Sequence, residues 1–125
     1  VDNNEGYMPH NLSNWALYLK ERESKNVLEW PNSFVVWQFK EQWLYAIDVW
    51  VAPELRKQKL ATEMLNNLTN VALEAGYKKL LTSADLRDPG CSVSIQAILN
   101  YGFKPLYADG QFLYFEKILA NKKDI

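Results

Sequence analysis

The sequence predicts one α/β domain spanning residues 1–125, built on a mixed, mostly antiparallel sheet flanked by helices. Three observations predict it. Residues 27–30, 34–39 and 43–51 are rich in β-branched and aromatic side chains and are separated by Pro31-Asn32-Ser33 and Lys40-Glu41-Gln42, the texture of an antiparallel meander. The third run stops at Pro53, which cannot donate a ladder hydrogen bond, and leads into a long apolar stripe followed by another strand. Asp109-Gly110, between two further strand-like runs, is a hairpin signal.

Ahead of the meander, residues 3–11 read as a polar loop, and Leu12, Trp15, Ala16 and Leu19 recur at helical spacing behind a cap at Asn11 or Ser13. Lys20, Glu21, Arg22 and Glu23 form the solvated face of this helix, which ends near Lys25. Beyond Pro53, Leu60, Met64, Leu65, Leu68, Val71 and Ala72 share one stripe, with Gly76 placed as a C-terminal cap. Residues 77–84 read as a strand, so strand, helix and strand make a right-handed parallel crossover. A polar loop over residues 85–90 precedes a helix over 92–101 capped by Gly102, and strands 104–107 and 112–118 flank Ala108-Asp109-Gly110. Residues 120–125 are expected to fray.

Apolar residues make up 48% and aromatic residues 14%, enough to build a core and no basis for disorder. Fourteen Lys and Arg against fifteen Asp and Glu leave a formal charge of −1, so no overall positive field draws nucleic acid or anionic lipid, and neither is expected as a partner. The single cysteine, Cys91, excludes an intramolecular disulfide and suits a reducing compartment, so a cytoplasmic location is expected. No apolar run approaches the ~18 residues of a membrane helix, and residues 1–7 lack the pattern of an export signal. His10, the only histidine, has no convergent set of ligands, and no metal is expected.

Chemistry concentrates in residues 46–62, where a strand ends at a proline and becomes a helix. A helix start presents unpaired backbone N–H groups and the positive end of the helix dipole to one point, which suits an anion. Arg56, Lys57 and Lys59 lie in or beside that first turn, where cations oppose the dipole unless an anion is bound. The alternative is a set of solvated cations on a connecting turn. Lys57 and Lys59 are two apart, so at most one of them faces a given phosphate.

Val51-x-Pro53-x-x-Arg56-x-x-x-x-Ala61, following Ile47-Asp48-Val49-Trp50, resembles the acetyl-CoA-binding motif of the GNAT superfamily of N-acetyltransferases. Glu74-Ala75-Gly76-Tyr77-Lys78-Lys79-Leu80 is similar to the end of that family's central helix and its next strand, Tyr101-Gly102-Phe103 to the Gly-Phe after its following helix, and Tyr107-Ala108-Asp109-Gly110 to its closing hairpin. The resemblance covers residues 27–119 and implies a GNAT-like fold whose first strand would precede residue 1. It implies that Val49, Trp50 and Val51 offer main-chain groups to the pantetheine arm. Lys57, Gln58, Lys59, Leu60, Ala61 and Thr62, after Arg56 at the head of the motif, would cradle the pyrophosphate. The implied reaction is transfer of an acetyl group from acetyl-CoA to a primary amine by direct attack, with a strand N–H near Val51 polarising the thioester carbonyl.

Two departures from the family pattern stand out. Lys59 occupies the usual glycine position, which a helical backbone would tolerate. Ile98 stands where many members carry a proton-donating tyrosine, leaving Tyr101, three residues on, as the candidate acid and otherwise a packing residue. Cys91 falls where the family often has asparagine, and with no histidine linked to it reads as a loop or capping residue rather than a nucleophile. Asp48 is the candidate base that accepts the amine's proton, with Glu54 and Asp85 as weaker substitutes; strict alternation places it with Trp50 on the face opposite Ile47, Val49 and Val51. Trp30, Trp37, Trp43 and Trp50 are expected mostly in the core, though some could sit at a homodimer interface. The acceptor, a small-molecule or protein amine, is not specified. The competing expectation is a catalytically weak or inactive relative kept as a CoA-binding or protein-interaction module.

Overall fold

The computed structural model describes residues 13–56 and 59–119; the cap at Asn11, the loop over 3–11, His10, Lys57, Gln58 and the tail fall outside the described residues. The elements run α1 (Asn14–Glu23), β1 (Asn26–Trp30), β2 (Ser33–Lys40), β3 (Trp43–Val51), a 3-10 turn (Pro53–Leu55), α2 (Leu60–Glu74), β4 (Lys79–Asp85), α3 (Cys91–Tyr101), β5 (Lys104–Asp109) and β6 (Phe112–Ile118). Their type and order follow the sequence expectation. Six strands form one sheet in the order β1-β2-β3-β4-β6-β5, so the strands on either side of α2 are neighbours. The β1–β2, β4–β6 and β5–β6 pairs are antiparallel.

The chain divides into two compact units, one comprising residues up to Gln38 with Ala46–Asn67, the other Phe39–Tyr45 with everything from Leu68 on. In the first unit, Ser13 caps α1: its Oγ accepts from the Ala16 N–H at 3.1 Å and donates to Glu29 Oε2 at 2.8 Å. One hydroxyl thus ends the helix and ties it to β1. Ala16, Val27 and Val36 are buried together, with Leu19, Phe34 and Ile47 packed against them. Val27 and Val36 are direct cross-strand partners, so the β1–β2 register places this cluster under the one buried residue of α1.

In the second unit, α2 and α3 end in the same way. Tyr77 N–H reaches the Ala72 carbonyl at 2.8 Å and Phe103 N–H the Ile98 carbonyl at 3.2 Å, each around a glycine at positive φ, Gly76 at 87° and Gly102 at 114°. Glycine, without a Cβ, takes this conformation at little steric cost. Tyr45 and Ser83 share a hydroxyl hydrogen bond of 2.8 Å, and Trp43 Nε1 donates to Glu116 at 2.9 Å. The closing hairpin differs from expectation by two residues: β5 runs on to Asp109, which pairs with Phe112 and leaves Gly110 and Gln111 as the turn. Gly110, at φ 61°, supplies the left-handed conformation that this two-residue turn requires.

Phe115 is fully buried and is the largest such side chain among the described residues. Phe115→Ala is expected to lower the free energy of unfolding by about 3–5 kcal/mol, read as a fall in the urea midpoint at constant m-value.

Candidate functional site

The candidate residues of β3, the turn after it and the start of α2 lie within the first unit. Along β3, Leu44 and Ala46 are buried, whereas Asp48 and Trp50 are exposed. Strict alternation does not survive between Ile47 and Trp50. Phe34 and Val36 are two apart on β2 and share a face; Ile47 packs against the cluster containing Val36, while Trp50 stacks on Phe34 with centroids 5.8 Å apart and rings 25° from parallel. Residues three apart reach one face only if the strand holds an extra residue, a β-bulge, between them. Trp50 is therefore on the Ile47 side of the sheet, correcting the expected alternation. A bulge leaves a backbone group out of the ladder, which here falls between Ile47 and Trp50.

Beyond the bulge the strand end is held by two bonds. Ala52 N–H donates to the Asn32 carbonyl at 3.1 Å, and Arg56 Nε donates to the Val51 carbonyl at 2.8 Å. Arg56 thus closes the Pro53–Leu55 turn onto the strand it has just left. Lys59 immediately precedes α2 with φ 60°, and its carbonyl accepts from the Glu63 N–H at 3.2 Å. Its backbone is left-handed, not helical, so the expectation that glycine would not be needed here is overturned. An L-residue in this conformation crowds its own Cβ against the backbone. From Leu60 on, the first-turn N–H groups of α2 have no carbonyl of the helix before them. Ala61 is half-buried and Thr62 exposed at this end.

Asp48 is exposed by surface area, yet the protein around its carboxyl strips enough water to raise its pKa above the ordinary aspartate value, an effect the Lys25 charge partly opposes. Asp85, the weaker substitute in the second unit, is held the other way: hydrogen bonds from the Arg87 backbone N–H, at 3.0 Å, and from its guanidinium lower the pKa of this half-exposed carboxylate. Asp85 is a poorer base than Asp48 on that account.

Tyr101, also in the second unit, shares a hydrogen bond of 3.2 Å with Thr69 of α2, and Lys117 Nζ lies 5.6 Å from its ring centre. Burial raises its hydroxyl above the usual phenol range. Ile98 is half-buried on the same helix, and the Cys91 thiol donates to the Leu86 carbonyl at 3.8 Å. Of the four tryptophans expected mostly in the core, only Trp37 is buried; Trp50 is 40% exposed. Among the described residues, no group of three or more His, Cys, Asp or Glu could hold a metal. No helix among them is long and apolar enough to cross a membrane.

A family model described as the acetyltransferase (GNAT) family matches residues 7–91. This chain belongs to the GNAT family. Among solved structures, this GNAT chain resembles the PaiA N-acetyltransferase of Thermoplasma acidophilum in complex with coenzyme A, at 17% identity and a TM-score of 0.62, over 69% of this chain and 52% of that one. It resembles a nourseothricin acetyltransferase at 26% identity and a TM-score of 0.59, over 71% of this chain and 58% of that one. Ard1 from Thermoplasma volcanium aligns at 12% identity and a TM-score of 0.66, over 84% of this chain and 78% of that one. The matched region spans only a little over half the length of the first two. No curated protein matches the chain. The GNAT sheet and helices are thus shown by fold likeness, and the Val51-to-Ala61 motif lies inside the matched family region.

Two outcomes follow from the geometry of the site. Lys59→Gly should stabilise the chain by about 1 kcal/mol in urea denaturation, because glycine relieves a left-handed conformation and gives back part of the gain as unfolded-state entropy. For Asp48, the unfolded carboxyl titrates near ~3.9 and the folded one above it, so between these values the folded chain holds the extra proton. Stability contributed by this group therefore falls as pH rises through that window. The stability of Asp48→Asn relative to the parent should accordingly increase from pH 3 to pH 7, measured by urea unfolding at each pH.

Proposed function

We propose that this GNAT chain is an acetyl-CoA-dependent N-acyltransferase that acetylates a primary amine by direct attack. The observation that carries the reading is the end of β3: a bulged strand with an exposed, pKa-raised carboxylate at Asp48 feeds a tightly closed turn into the start of α2. These residues fit a CoA pyrophosphate. The α2 start offers backbone N–H groups, Ala61 keeps the second small position of the motif, and Lys57 and Lys59 bring positive charge to a place where the helix dipole alone would repel it. The left-handed backbone at Lys59 is the conformation a glycine would take there, with the lysine stem added. In this reading Arg56 shapes the turn through its bond to the Val51 carbonyl, and the first turn of α2 from Leu60 to Thr62 completes the cradle.

Acetyl-CoA, when bound, supplies an acetyl thioester. Val49, Trp50 and Val51 offer it main-chain groups, and a strand N–H left unpaired by the bulge donates to the carbonyl oxygen as negative charge develops there. Asp48 takes the proton of the attacking amine; burial raises its pKa, which makes it a better base than an ordinary aspartate. The new bond joins amine nitrogen to acetyl carbon, the carbon–sulfur bond breaks, and the departing sulfur takes up a proton. Burial in the second unit keeps the Tyr101 hydroxyl protonated at neutral pH, the state a proton donor needs.

Calorimetric titration with acetyl-CoA is expected to show saturable binding, weakened at least tenfold by the double change Lys57→Glu and Lys59→Glu. Turnover with an amine panel should fall by about 10²–10⁴ in Asp48→Asn while acetyl-CoA binding persists. Binding without turnover in the parent would replace the enzyme by a CoA-binding module, and the absence of binding would refute the cofactor assignment.

A further inference from the structure

In the second unit β5 ends the strand order, with no strand beyond it among the described residues. It is exposed along its whole length, although it carries Leu106 and Tyr107, at 38% and 47%. The direction of its main-chain groups follows from the neighbouring ladder. Leu119 N–H donates to the Lys78 carbonyl at 2.9 Å and Leu86 N–H to the Gln111 carbonyl at 2.7 Å, so the odd-numbered residues of β6 turn their main-chain groups to β4, and Phe112, Tyr114 and Glu116 turn theirs to β5. Their partners Asp109, Tyr107 and Lys104 therefore face β6, and Pro105 and Ala108 present main-chain groups to the open edge. We propose that this edge binds β5 of a second copy of the chain, antiparallel about a two-fold axis between Leu106 and Tyr107.

The strand is complementary to itself. In the register that overlaps its whole length, Lys104 lies opposite the partner's Asp109, Pro105 opposite the partner's Ala108, and Leu106 opposite the partner's Tyr107. Lys104 and Asp109 pair with Glu116 and Phe112, four apart on β6, so both are on one face of the sheet, and the two-fold axis brings opposite charges together at each end. Neither forms an ion pair among the described residues. Ala108 N–H donates to the partner's Pro105 carbonyl and symmetry repeats the bond, so neither bond needs the N–H that proline lacks. The register shift between Pro105 and Tyr107 adds one residue between the outward positions of β5, equally in both copies, and the two edges stay in step. Proline, lysine and a bulge commonly guard a strand edge against open-ended pairing. One register here accommodates all three, and through this edge the assembly closes at two copies.

Sedimentation equilibrium of the full chain at about 100 μM is expected to give twice the monomer mass. Ala108→Pro removes the N–H of both intermolecular bonds and leaves those to β6, and should weaken the dimer by about tenfold or more. Lys104→Asp and Asp109→Lys each set like charges opposite one another at both ends, and each alone should weaken it by about tenfold. An equimolar mixture of these two variants sets opposite charges together again and should form a heterodimer within about threefold of the parent's affinity, a rescue that a folding defect would not give. The far-ultraviolet circular dichroism of each variant should match the parent's. A monomer at that concentration, a dimer that all three variants leave unchanged, or a mixture no tighter than the separate variants overturns the assignment.

Discussion

The last carbonyl of a strand that must become a helix needs a donor, and at Val51 that donor is Arg56. Its Nε–H closes the Pro53–Leu55 turn back onto β3, while Ala52 is tied to Asn32 on the neighbouring hairpin turn. Both ends of the turn are pinned, and Lys59, just before α2, takes a left-handed conformation. The bulge upstream re-aims the strand within the same few residues. Backbone geometry rather than an array of side chains thus makes this end of the strand distinctive, with N–H groups as its main polar offering.

The motif arginine acquires a particular meaning from this arrangement. Read as charge alone, Arg56 belongs with Lys57 and Lys59 as a potential anion contact. In the folded chain its Nε is committed to the strand, so its first duty is to hold the turn through a charge-assisted bond to a carbonyl. Lysine could not reproduce the planar donor set that lets one guanidinium bond a carbonyl and still present further N–H groups outwards. The two functions are compatible in one side chain.

Asp48 and Trp50 show how a single inserted residue alters chemistry. A regular strand would bury one face uniformly and leave these two residues as parts of a repeating pattern. With the bulge, Trp50 joins Phe34 and Trp15 in a rigid, half-open aromatic ledge, while Asp48 is crowded enough to hold its proton more tightly than a free aspartate does. The exposed Trp50 and the perturbed carboxylate lie on the same short segment as the family motif.

The sequence by itself determined the element order, because strand texture, helical stripes and the capping glycines Gly76 and Gly102 are local properties set by side-chain shape and backbone freedom. It also carried the cofactor motif, since Val51, Pro53, Arg56 and Ala61 lie within one short run and the family match contains them. Contacts between distant residues decided the rest. The bulge is seen only through Ile47 against Val36 and Trp50 against Phe34; the cap at Ser13 gains its second partner, Glu29, only when α1 meets β1. Lys59 takes a left-handed backbone, and the residue type there pointed the other way. Alternation and propensity describe a chain's average preferences, whereas one extra residue in a strand is fixed by the packing of the partners it meets, and no local pattern encodes that.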